Sequence, residues 1–157
     1  MKKKRVVIIS LLLLLVSVIG ISSYFLFKDK INLLDVDHSA VDWNGKKQKD
    51  TSGEENTIAI PGFGKVTLYA NETKQAVNFH NPEINDCYFK ISLIHPDGSV
   101  LWISDLIEPG KGMYSIELEK TLAVGEYENA VLKYECFSLN DQSPLNGSEI
   151  NLKLVVV

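Results

Sequence analysis

The chain has 157 residues, with 16 basic and 20 acidic side chains and a formal charge of −4 at pH 7. That length holds one domain of ordinary size. Between Ile58 and Val157 there are 7 lysines against 13 acids and no basic stripe with interleaved aromatics. Such a surface repels phosphate backbones, which argues against a nucleic-acid partner.

Met1 to Arg5 is a basic tip carrying Lys2, Lys3, Lys4 and Arg5. Val6 to Phe27 follows as 22 residues without a charge, of which 16 are Leu, Ile, Val or Phe. As a helix this run spans about 33 Å, enough for a hydrocarbon core of roughly 30 Å. The cationic cluster precedes the run, while Lys28 and Lys30 after it are partly offset by Asp29. The positive-inside rule therefore puts Met1 in the cytoplasm and everything after Phe27 outside. A cleaved signal peptide would need a site near Gly20-Ile21-Ser22, a poor match to the small-x-small rule. The apolar Tyr24-Phe25-Leu26-Phe27 favours a retained signal-anchor. No cysteine precedes Cys87, so a lipidated cysteine is not the anchor.

Lys28 to Thr57 is rich in Asp, Lys, Ser, Gly, Asn and Glu, and 45–50 contains no apolar residue. This composition predicts a flexible tether over 28–57, with a root-mean-square reach of about 30 Å. Trp43 within it reads either as an interfacial aromatic or as a loop residue.

From Ile58 onward the dominant period is two. Phe89, Ile91 and Leu93 alternate with Lys90 and Ser92, and Tyr114, Ile116 and Leu118 with Ser115, Glu117 and Glu119. Leu132 and Tyr134 alternate with Lys133 and Glu135, and Ile150, Leu152 and Leu154 with Asn151 and Lys153. This is the signature of strands with one buried and one wet face. His95-Pro96-Asp97-Gly98 predicts a hairpin turn between 88–94 and 99–103. Glu108-Pro109-Gly110, Val124-Gly125-Glu126 and Pro144-Leu145-Asn146-Gly147 give further turn signals. With Val66–Ala70 and Ala76–Phe79 the count is about seven short strands over 58–157. The expectation is an all-β, immunoglobulin-like sandwich, with a small closed barrel as the alternative.

Parity places Cys87 on the face of Phe89 and Ile91, and Cys136 on that of Leu132 and Tyr134. Both sulfurs point inward and lie outside the cytoplasm, where disulfides persist. A bridge would stabilise the fold by about 4 kcal/mol in the chain-entropy model. The alternative is two buried free thiols acting as small apolar groups.

Cys87, Trp102 and Tyr134-Glu135-Cys136 together resemble the immunoglobulin run of cysteine, core tryptophan and Tyr-x-Cys. The resemblance implies structural-core roles for Trp102 and Tyr134, the tyrosine hydroxyl turning back to the main chain at a corner. The chain also resembles a group of short, membrane-tethered, poorly characterised proteins of Gram-positive bacteria. The matching residues are Ile60-Pro61-Gly62, Asn81-Pro82, Cys87-Tyr88-Phe89, Asp97-Gly98, Ile107-Glu108-Pro109-Gly110, Tyr127 to Tyr134 and Pro144-Leu145-Asn146-Gly147. One arginine among fifteen lysines fits the AT-rich coding of such a source. Some similar chains carry a tRNA-uracil methyltransferase label. The chain has no glycine-rich cofactor loop, βαβ pattern or basic face to support that chemistry.

No arrangement of residues points to catalysis. His38, His80 and His95 are scattered between tether and turns, without metal-ligand spacing, and His95 reads as solvated. No serine sits in a Gly-x-Ser-x-Gly elbow. Glu117 with Glu119, and Glu126 with Glu128, fall on wet strand faces rather than in a cleft. No cofactor or metal is implied. The expectation is a non-enzymatic binding or accessory module, held at the outer membrane face for contact with a protein or wall component. Its expected contact surfaces are the loop Asn81–Asp86 and the turns at Pro109-Gly110 and at 144–147, including Asn146, because scaffolds display function on loops. Exposed strand edges are a further means of contact. The alternative is a structural subunit of a membrane-bound secretion or transfer apparatus, with residues 6–27 as an interface.

Overall fold

The computed structural model describes residues 33–45 and 57–157. The basic tip, and the apolar run 6–27 expected to form a membrane helix, lie outside them. Residues Leu34–Val157 form one compact unit.

The described chain is all β, with eight strands in two sheets. They are β1 (Val41–Asp42), β2 (Lys65–Leu68), β3 (Lys74–His80), β4 (Cys87–Ile94), β5 (Val100–Ile103), β6 (Lys111–Glu117), β7 (Gly125–Ser138) and β8 (Pro144–Val156). The larger sheet runs β2-β8-β7-β4-β5 and the smaller β1-β6-β3. Among the strand pairs only β2–β8 is parallel and the others are antiparallel.

The alternation in sequence is the cause of this layering. On β4, Cys87, Phe89, Ile91 and Leu93 are buried, as are Ala130, Leu132, Tyr134 and Cys136 on β7 and Leu152, Leu154 and Val156 on β8. From the smaller sheet Phe79, Met113 and Ile116 join the same apolar cluster. Phe79 meets Trp102 of β5 at 5.8 Å between ring centroids, tying the two sheets together. Removing such side chains from water is what holds two sheets face to face. The hairpin at His95–Gly98 forms as its composition dictates, with Gly98 at φ 86° and the His95 amide donating to the Ser99 carbonyl.

Two features depart from the sequence reading. The β unit begins at Leu34 rather than at Ile58. Residues 34–44 are not tether but a strap along the sheet edge: Val36 bridges Leu106, and β1 pairs with Lys111 and Gly112 of β6. The physical reason is that Ala40 and Trp43 cover the domain while Asp37 and Asn44 hydrogen-bond to it, which a polar average over 28–57 conceals. Second, 144–147 is no turn but the start of β8. The chain reverses instead at 139–143, where Gln142 adopts φ 55° and Asp141 accepts from the amide and hydroxyl of Ser143. Gly147 serves a bulge between Tyr134 and Cys136; a Cβ there would overlap the Tyr134 carbonyl oxygen.

Candidate functional site

The register of β4 on β7 (Cys87 opposite Ser138) brings the start of β4 and the β7–β8 turn to one end of the larger sheet. The loop 81–86 and the connection 104–110 lie at that same end, because Asn81 exchanges main-chain hydrogen bonds with Gly110 and Lys111. The contact residues expected from sequence therefore divide by burial. Asp86 and Asn146 are exposed, and Pro109 and Gly110 are half-buried. Asn81 is 0 % exposed and cannot meet a partner. Its Nδ2 donates to the carbonyls of Cys87 (2.8 Å) and Ile107 (3.0 Å), and its Oδ1 accepts from Asn85 Nδ2 at 2.8 Å. Asn85 in turn clamps the main chain of Ala59 through both ends of its amide. The pair is a buried bracket for the loop; unpaired carbonyls there would be costly. Asn146 lies on β8, not in a loop.

A concavity lies on the β7–β8 hairpin. It is a groove of about 340 Å³ at the bulge, with Phe137, Pro144 and Leu145 for apolar lining and Lys133, Glu135 and Glu149 at its polar rim. Lys133 and Glu135 pair at 3.4 Å. Beside the groove runs an open strand edge. β2 covers β8 only from Lys153 to Val156. Among the described residues no strand pairs with the outer side of 144–152. The Lys153 amide points outward to the Gly64 carbonyl, so by the two-residue period the main-chain groups of Asn151 and Glu149 point the same way. Unpaired groups of this kind are a template for another strand.

Several chemistry-bearing residues elsewhere pair with one another. Glu126 and Glu128 both pair with Lys153, at 3.0 and 2.5 Å. His95 is not a solvated turn residue: its side chain is 17 % exposed, pairs with Asp97 at 2.9 Å and packs on Tyr127. The Ser99 hydroxyl and amide, then His95, hold the Asp97 carboxyl well below the usual range. No group of three or more His, Cys, Asp or Glu among the described residues is placed to hold a metal.

Cys87 and Cys136 are buried free thiols. The neighbouring Cys87 and then burial push the Cys136 thiol up. The immunoglobulin pattern read from Cys87, Trp102, Tyr134 and Cys136 would set the cysteines on facing sheets. They lie instead on the neighbouring strands β4 and β7 of one sheet, Cys136 opposite Phe89 and Cys87 opposite Ser138. Trp102 packs on Phe79, and the Tyr134 hydroxyl reaches the Pro61 carbonyl at 3.4 Å. Burial of that hydroxyl raises its pKa.

Sequence reasoning missed the bracket Asn81–Asn85 and the stack of Trp43 on His80. Neither leaves a local signal, since the stacked rings are separated by a segment read as tether. No protein-family profile matches the chain, and neither does any curated protein or solved structure.

Proposed function

We propose that the protein is a membrane-anchored extracellular binding module that takes an extended peptide strand along the open edge of β8. The single observation behind this reading is the uncovered stretch Ser148–Leu152 beside the groove at Phe137, Pro144 and Leu145. An edge of this kind recognises a strand through main-chain hydrogen bonds, and the adjoining depression takes one of its side chains. Glu149 on that edge and the acidic excess of the domain favour a strand carrying lysine or arginine.

The strand order supports an immunoglobulin-like sandwich. β2 stands parallel to the last strand at the end of a five-stranded sheet, and β3 with β6 forms the facing layer. Sandwiches of this kind at cell surfaces serve mostly in adhesion and binding. The apolar run 6–27 with its preceding lysines supports the anchor, and the resemblance to short membrane-tethered proteins of Gram-positive bacteria supports the outer location.

The test uses full-length protein in nanodiscs and a labelled eight-residue peptide alternating lysine and valine. Saturable binding is expected, lost in Asn151→Pro, which removes one outward amide while leaving the β7 ladder intact. Binding unchanged by Asn151→Pro, or no binding of this peptide and of an acidic counterpart, would contradict strand addition.

A further inference from the structure

Near its end the strap 34–44 carries a ring pair beside its β1–β6 hydrogen bonds. Trp43 lies flat on His80, with centroids 3.8 Å apart and planes at 10°. His80 ends β3 and is 4 % exposed, and its Nδ1 is the buried side-chain polar atom without a hydrogen-bond partner among the described residues. Gly112 on β6 makes the notch for the indole: a Cβ there would stand 2.7 Å from Trp43 Cδ1. The Trp43 Nε1–H donates to Asn78 Oδ1 at 2.7 Å, and its amide to the Gly110 carbonyl at 2.9 Å.

We propose that His80 is an acid-labile latch for this strap, because protonation would put a hydrogen on Nδ1 where no acceptor stands, beneath an indole that seals the ring from water. A buried donor without an acceptor, carrying charge as well, destabilises the closed arrangement. Burial accordingly lowers the proton affinity of His80, with the Asn78 main chain in partial opposition. The titratable groups on the surrounding strands do not compensate. Asp42 on β1 and Lys111 on β6 pair with each other, and Tyr114 on β6 is bonded to Asn44. Lys74 on β3 and Glu117 on β6 stand opposite one another at the far end of the sheet. The indole face attracts a cation but offers the new N–H no acceptor.

The test follows Trp43 emission in the full-length chain in detergent, in a Trp102→Phe background, with circular dichroism reporting the fold. A red shift is expected as pH falls from 7.5 to 5, with the β signal retained. His80→Phe should keep the strap closed across that range, and Trp43→Ala should leave the amides of Val41 and Asp42 exchanging at least 10-fold faster at every pH. Should His80→Phe fail to fold, the NMR titration of His80 in the native chain decides, since the shift in Trp43 must share its midpoint. No red shift, a shift that persists in His80→Phe, or one that coincides with loss of the β signal would overturn the latch. A latch that works in detergent while the chain fails to span a bilayer would refute the anchor alone.

Discussion

Asn81 shows how one polar side chain can hold a loop by being removed from water. It completes the hydrogen bonding of two buried carbonyls and of Asn85, so its loss strands several groups at once. Asn81→Ala should lower stability by about 2–4 kcal/mol, since each buried group left unsatisfied costs about 1–3 kcal/mol. A urea unfolding midpoint within error of the parent would contradict this. Gly147 is constrained sterically rather than by hydrogen bonding. Gly147→Ala should cost about 1–3 kcal/mol, because the bulge must open to admit a methyl group. Thermal melts of the two variants measure both effects. The role of Asn81 was not legible from sequence, where Asn-Pro reads as turn chemistry whether the amide faces water or carbonyls. The role of Gly147 was half legible: Asn-Gly announces an unusual backbone, and a bulge answers that need as well as a turn does.

The elements themselves were legible wherever one face is wet. β4, β7 and β8 lie where their period of two predicts, whereas on β6 the register shift against β3 turns Tyr114, expected inside, to the exposed face and buries Met113 instead. The strap was not, because β1 contributes two residues and its packing depends on a histidine at the end of β3. The smaller sheet depends heavily on Phe79, which packs on Trp102 across the core and on Phe63 edge-on. Phe79→Ala should cost about 3–5 kcal/mol, as for large-to-small changes in other cores. Denaturation followed by circular dichroism and by tryptophan emission should show both signals moving together. A loss confined to tryptophan emission would mean that the small sheet detaches alone.

At the scale of the molecule, the two thiols report on the whole fold. Cys87 and Cys136 are each 1 % exposed, so neither should react with an alkylating reagent until the domain unfolds. Modification in native buffer at the rate of a free thiol, followed by mass, would contradict that burial. Acid should weaken the fold through His80. A histidine whose folded pKa is depressed leaves stability intact above its ordinary value of 6.5, and loses it as pH falls below that value toward the depressed one. The measurement that bears most directly on the binding account is amide hydrogen exchange along β8 in the free protein. The account predicts fast exchange at Glu149 and Asn151, whose amides face outward, and slow exchange at Ile150 and Leu152, which face β7. Equal protection at all four amides would mean that the edge is already covered, and strand addition at β8 would be wrong.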